Sequence, residues 1–177
     1  MDSDIIKASA EIVNLVKTIL NPVIDHNSRT AAHRMLDDFK DNSQLCAKCG
    51  FFLSNHEEPT IRHIGLQLID HYIKFRWNEI EISEKVWLKD NVMNSIAKDS
   101  TSISGEKIFV KDAWSRIIVE IIKREWPQQW PTLLDELDQL CKLGDKQTEL
   151  VLLVFLRLIE DTVHLQNFAD KRRKDIR

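Results

Sequence analysis

The sequence predicts an all-α fold, a right-handed superhelical stack of antiparallel helix pairs. The first observation is a 3.6-residue spacing of apolar residues along almost the whole chain, without convincing strand alternation. The second is that the 177 residues include only 4 Gly and 4 Pro, so connections between helices should be short. Helices joined by short connections pack as antiparallel neighbours, which favours stacked hairpins. A closed eight-helix globule is the alternative that the same periodicity permits.

The apolar spacing predicts four helices in the first part of the chain. The first starts near Asp4 and stops at Asn21-Pro22, and the second starts at Ser28, a candidate N-cap. The third is short, from Leu45 to Asn55, and the fourth starts at Pro59. The side chains expected to face the core are those of Ile5, Ala8, Ile12, Leu15, Ile19, Ala32, Met35, Leu36, Phe39, Ile61, Ile64, Leu68, Tyr72 and Phe75.

Four further helices follow from the same spacing. The fifth starts at Ser83, and a polar segment at about 100–105 separates it from the sixth, which spans about Lys107 to Trp126. The seventh starts at Pro131 and ends before Gly144. The eighth, from about Lys146 to His164, is apolar on nearly all sides and should be covered from more than one side. The core positions expected in the fifth and sixth helices are Val86, Trp87, Val92, Met93, Ile96, Val110, Ala113, Trp114, Ile117, Ile118, Ile121 and Ile122.

The helices are expected to pair in order: first with second, third with fourth, fifth with sixth, and seventh with eighth. The second members start at unequal steps that scatter around the period of about 40 to 47 residues expected for HEAT-type repeats. The basic run Lys171–Lys174 leads into Asp175–Arg177, like a linker followed by a new helix. The chain is therefore expected to be a fragment of a longer stack.

Two Trp-Pro pairs in R-E-W-P-Q-Q-W-P mark a corner between helix pairs. Pro127 has no N–H for a continuing helix and disfavours helical geometry at Trp126, so the sixth helix must end there. Pro131 is suited to the first turn of the next helix. Trp126 and Trp130 are expected to fill the gap between successive pairs, a structural role rather than a ligand-binding one.

Composition and motifs exclude several classes of function. The net charge of −3 excludes a globally basic nucleic-acid binder, and the longest apolar run, Leu150–Leu156, is too short to span a bilayer. Three cysteines fit a reducing compartment, and Cys46-x-x-Cys49 lacks the second ligand pair of a zinc site. Because no catalytic motif is present either, the protein is not expected to be an enzyme or to bind a metal or cofactor.

Several stretches resemble one family, the exportin branch of the importin-β superfamily. The corner I-I-K-R-E-W-P-Q-Q-W-P is similar to the segment that opens the exportin homology region. The segments Ile61–Asn78, Ser83–Met93, Gln147–Val151 and R-R-K-D-I at 172–176 are similar to one exportin in particular. The resemblance implies importin-β-type HEAT repeats over 1–125 and the start of the exportin homology region over 126–177.

The resemblance also implies a nuclear transport receptor that shuttles between nucleus and cytoplasm and contacts nucleoporins. In that family the N-terminal repeats bind Ran in its GTP state, with second helices lining the concave surface; GTP and Mg²⁺ belong to Ran. The polar residues expected on those faces are Arg34, Asp37, Asp38, His63, Gln67, Asp70, Lys74, Asp112, Arg116, Glu120 and Lys123. The alternative for each residue is a solvated face with internal pairs such as Arg116 with Glu120.

The exportin that these segments resemble carries short double-stranded RNA, notably microRNA precursors, so the resemblance implies a similar cargo. The chain's only basic run is Lys171–Lys174, which is more typical of a solvated linker, so RNA contacts are expected mainly in repeats outside this sequence. The alternatives are a generic HEAT-repeat scaffold for protein interactions, or another exportin that carries protein or tRNA.

Overall fold

The computed structural model describes residues 3–98 and 107–161. These residues form eight α-helices and no strand, which confirms the all-α prediction. The helices are α1 (Ser3–Leu20), α2 (His26–Asn42), α3 (Cys46–Leu53), α4 (Pro59–Arg76), α5 (Ile82–Lys98), α6 (Ile108–Glu125), α7 (Leu133–Leu143) and α8 (Asp145–Ile159). The chain divides into a first unit, Met1–Asn78, and a second unit, Glu79–Arg177.

Two predicted helix starts differ from those observed. The N-cap of α2 is Asp25 rather than Ser28, because the Asp25 carboxylate accepts a 3.0 Å hydrogen bond from the backbone N–H of Ser28. Hydrogen bonds from the side chain and backbone of Ser28 lower the pKa of Asp25. Likewise α7 starts at Leu133, two residues after Pro131, which belongs to the preceding turn.

The first unit consists of two helix pairs, as predicted. Helix α1 packs on α2 and α3 packs on α4, while α1 also contacts α3 and α2 contacts α4. First members therefore lie beside first members and second beside second, as in a stack of repeats. The backbones of α3 and α4 approach closely at Gly50 and Gly65, where a Cβ atom on Gly65 would lie 2.8 Å from the carbonyl oxygen of Gly50.

In the second unit α7 pairs with α8 as predicted, and α8 also packs against α6. The predicted close packing of the fifth and sixth helices is not observed: α6 makes its broad backbone contact with α8 instead. Helix α5 reaches the end of α6 through Lys89, whose ammonium lies 3.1 Å from the Glu125 carboxylate. Neither helix contains a glycine that would allow the close approach seen between α3 and α4.

Most predicted core residues are buried or half-buried, but three are not. Met35, Phe75 and Val86 are 61%, 68% and 45% exposed. Helix α8 is covered by α6 and α7, as expected for a helix with more than one apolar side. A stripe of its apolar residues nevertheless remains exposed in the described part of the chain: Leu152, Phe155, Leu156 and Ile159. The predicted segment at 100–105, the helix end at His164 and the basic run Lys171–Lys174 lie outside the described residues.

Candidate protein-binding surfaces

The polar residues predicted on α2 form an exposed stripe. Arg34, Asp37 and Asp38 are all exposed, on the side of the helix away from the buried Ala32 and Leu36. The Asp37 carboxylate accepts a 3.1 Å hydrogen bond from Lys40, and that of Asp38 accepts a 2.8 Å bond from the Asn42 amide. These i,i+3 and i,i+4 pairs hold the carboxylates without withdrawing them from solvent.

The residues predicted on α4 form a second stripe. Gln67 and Lys74 are exposed, whereas His63 and Asp70 are half-buried. The side chains pair along the helix: the Gln67 amide nitrogen lies 3.0 Å from His63 Nε2, and Lys74 donates a 2.7 Å hydrogen bond to Asp70. The stripe therefore presents both hydrogen-bonding groups and both signs of charge.

Contacts that the sequence reasoning missed join the two stripes. His71 Nε2 lies 2.9 Å from an Asp41 carboxylate oxygen, across the contact between α4 and α2. One turn further, Arg76 donates a 2.7 Å hydrogen bond to the Ser43 carbonyl, and its guanidinium lies 4.7 Å from the Tyr72 ring centroid. We call the exposed stripes of these adjacent helices, with the Asp41–His71 bridge, the α2/α4 face.

The four residues predicted on α6 are largely engaged within the second unit. Asp112 accepts a 2.9 Å hydrogen bond from Arg157 of α8 and pairs with Arg116, also at 2.9 Å. Arg116 thus pairs with Asp112 and not with Glu120 as the alternative reading expected. The bond to Asp112 is the main reason that the pKa of Arg157 is raised.

Glu120 is buried, although it was predicted on the polar face. It pairs with Lys123 and lies 2.6 Å from Arg124, and Lys123 also contacts Asp161 at 2.8 Å. Burial opposes the Glu120 charge, but the hydrogen bonds from the two cations outweigh it and lower the pKa of this carboxyl. Of the four polar residues predicted on α6, Arg116 is therefore the exposed one. Glu120 and Lys123 take part in a network of ion pairs with Arg124 and Asp161.

In the Trp-Pro corner, Trp130 is buried and held by neighbouring polar side chains. Its indole is 4% exposed and donates a 3.1 Å hydrogen bond to Glu136. The Lys89 ammonium lies 5.8 Å from the indole centroid and also hydrogen-bonds the Gln129 carbonyl at 3.3 Å. Trp126, whose bond to Pro127 is cis, is half-buried, so Trp130 fills the corner more completely than Trp126 does.

Cys46 and Cys49 lie in the core of the first unit. Both are fully buried, and their Sγ atoms lie 3.5 Å and 3.9 Å from the carbonyl oxygens of Leu68 and Ile5. Burial raises the pKa of Cys46 to about 12 and also raises that of Cys49. Over residues 3–98 and 107–161 no cluster of three potential metal ligands is present, and no helix has the length and apolarity of a membrane span.

Two family models match the chain, and together they define its class. One, described as the importin-beta N-terminal domain, matches residues 32–98, and the other, described as Exportin 1-like protein, matches residues 107–177. The chain belongs to the exportin branch of the importin-β superfamily, and its paired helices fit the helical solenoid of that superfamily.

Within that branch the chain is similar to exportin-5. It is 44% identical to exportin-5 of Homo sapiens and 43% identical to that of Mus musculus, in each case over 94% of this chain and 14% of the relative. It is also 28% identical to exportin-5 of Dictyostelium discoideum over 99% of the chain and 16% of that protein. The chain thus spans about one seventh of the length of these curated relatives.

Proposed function

We propose that this chain is the Ran-GTP-binding part of a nuclear export receptor, and that the α2/α4 face is a contact surface for Ran. The observation that carries the proposal is the exposure of two adjacent polar stripes on second helices, in a chain of the exportin branch. A generic scaffold for protein interactions could present a similar face, but it would not distinguish the nucleotide on Ran.

The charges of the α2/α4 face favour a protein partner. Asp37, Asp38 and Asp70 stand among Arg34 and Lys74, so both signs are interspersed. A nucleic-acid backbone attracts surfaces dominated by Lys and Arg, whereas protein interfaces commonly have a polar rim of mixed charge. A GTPase whose switch segments reorder with the nucleotide would present a different surface in each state, which this face could read through many small contacts.

We further propose that the complete receptor carries structured small RNA, such as microRNA precursors, from nucleus to cytoplasm and contacts nucleoporins on the way. The similarity to exportin-5 supports this assignment. Because the chain covers 14% of that relative, most RNA contacts would lie in other repeats. Ran-GTP and cargo would each favour the same conformation, so each would raise the affinity for the other. GTP and Mg²⁺ would be carried by Ran, and the chain itself would need no cofactor and catalyse no reaction.

The test of Ran binding is a titration of the 177-residue chain with Ran loaded with a non-hydrolysable GTP analogue or with GDP. We expect saturable binding of the GTP form and much weaker binding of the GDP form. Equal binding of the two forms, or none, would refute the proposal and favour the generic scaffold.

A charge reversal then tests the surface. Asp37→Lys combined with Asp70→Lys should weaken binding, although an exposed carboxylate such as that of Asp37 contributes alone on the order of 1 kcal/mol or less. The matched control is Asp90→Lys with Asp138→Lys, which reverses two exposed charges on α5 and α7. Helix content by circular dichroism should not change in either double variant. If the two doubles bind alike at low salt, where screening is weakest, the α2/α4 face is not the Ran surface.

A further inference from the structure

Phe75 is the most exposed aromatic side chain in the part of the chain that the structure describes, at 68%. Its position in the apolar repeat of α4 predicts burial, so the exposure calls for a physical reason. The Asp41–His71 contact places the end of α2 beside His71, and α2 stops at Asn42. Phe75 lies one helical turn beyond His71 and has no α2 residue opposite it within the helix, since α2 ends one residue after Asp41.

The solvent-exposed Phe75 ring lies against one neighbouring ring, that of His71. The centroids of the Phe75 and His71 rings are 4.6 Å apart with an interplanar angle of 45°. His71 is in turn held by Asp41 of the neighbouring helix at 2.9 Å. An aromatic side chain that is already positioned loses little conformational freedom when a partner covers it. These are the properties of an anchor residue in a protein interface.

The charges around Phe75 indicate the kind of partner. The Asp41 carboxylate pairs with His71, whose ring lies against that of Phe75, and Lys74, the residue before Phe75, pairs with Asp70. The Asp41 carboxylate near the ring would repel an RNA backbone, whereas an apolar residue flanked by charges of both signs suits a protein. The contact of Phe75 with His71, a member of the Asp41–His71 bridge, makes Phe75 continuous with the α2/α4 face.

We propose that Phe75 is an apolar anchor of the α2/α4 face and inserts into the surface of Ran-GTP; this inference rests on the proposed function. The ring supplies the apolar contact that the charged stripes lack, and its loss should act mainly by speeding dissociation. Phe75 thereby becomes a residue that determines affinity, while the surrounding charges contribute to selectivity and to the rate of encounter.

The test compares Phe75→Ala and Phe75→Tyr with a control, Leu20→Ala, at the exposed end of α1. Each chain is titrated with Ran loaded with a GTP analogue. Phe75→Ala should weaken binding by about tenfold or more, as expected for an interface anchor, whereas Phe75→Tyr should retain most of the affinity. Leu20→Ala should change it less than about twofold if the contact is local to α4.

A second measurement does not depend on truncating the ring. With p-benzoylphenylalanine in place of Phe75, ultraviolet light should crosslink the chain to bound Ran, whereas the same replacement of Leu20 should give no crosslink. If the native chain binds Ran-GTP but Phe75→Ala binds equally well and no crosslink forms at position 75, the anchor is refuted and the proposed function stands. If the native chain does not bind Ran-GTP, both are refuted. If Phe75→Ala binds Ran-GTP normally but loses binding to a hairpin RNA, the anchor is also refuted, because Phe75 would then be a base-stacking residue.

Discussion

Replacing Gly65 with Ala should destabilise the first unit, although Ala is normally the better helix residue. A Cβ atom at position 65 would lie 2.8 Å from the Gly50 carbonyl oxygen, 2.8 Å from the Ser54 backbone nitrogen and 2.9 Å from the Leu53 carbonyl carbon. All three are backbone atoms, so no side chain can rotate away to make room. Since ordinary contact begins at 3.4 Å, α3 and α4 would have to separate by roughly 0.6 Å.

The magnitude follows from two opposing effects. The change from Gly to Ala within a helix should stabilise by about 1 kcal/mol. Forcing an additional methyl group into a well-packed contact costs about 1 to 3 kcal/mol, and backbone-only contacts place this site at or above the upper end of that range. We therefore expect Gly65→Ala to lower the free energy of unfolding by about 2 kcal/mol.

Urea denaturation followed by circular dichroism at 222 nm measures this difference. Ala31→Gly, at an exposed position in α2, calibrates the propensity effect and should cost about 1 kcal/mol with no steric contribution. A Gly65→Ala chain that is as stable as the native chain, or more stable, would show that α3 and α4 do not meet at these glycines.

Three further predictions concern buried groups. Trp130→Ala should lower the free energy of unfolding by about 3 to 5 kcal/mol in chemical denaturation, and Trp126→Ala clearly less, since the Trp130 indole is buried and that of Trp126 is half-buried. Equal losses of stability would contradict this difference. The buried thiol of Cys46, with its pKa raised to about 12, should resist a disulfide reagent at pH 8 until the chain unfolds. The half-buried Cys141 should react first, and a fast reaction of Cys46 in the folded chain would contradict its burial. Folding lowers the pKa of Glu120, so its contribution to stability is present at neutral pH and is lost as the pH falls through the lowered pKa. Glu120→Gln should therefore be less stable than the native chain at pH 7 and lose less stability on acidification. An unchanged dependence of stability on pH would show that the cations do not hold the carboxylate.

The apolar repeat, the prolines and the scarcity of glycine were sufficient to predict the all-α class and most helix bounds. These are local properties: Pro59 starts α4, and Pro127 prevents α6 from continuing, whatever the rest of the chain does. The exportin resemblance was also present in contiguous stretches, so it could be recognised without coordinates. The exposed stripes on α2 and α4 could be predicted for the same reason, because the helical period alone determines which residues share a face.

Only the tertiary structure decided which of those faces a neighbour covers. Phe75 follows the apolar repeat but is exposed, whereas Glu120 follows the polar repeat but is buried and paired with Lys123 and Arg124. The Asp41–His71 contact joins residues 30 positions apart, and no local pattern relates them. A repeat in the sequence determines which side chains point the same way, but burial depends on the length and position of the adjacent helix, which the folded chain alone establishes.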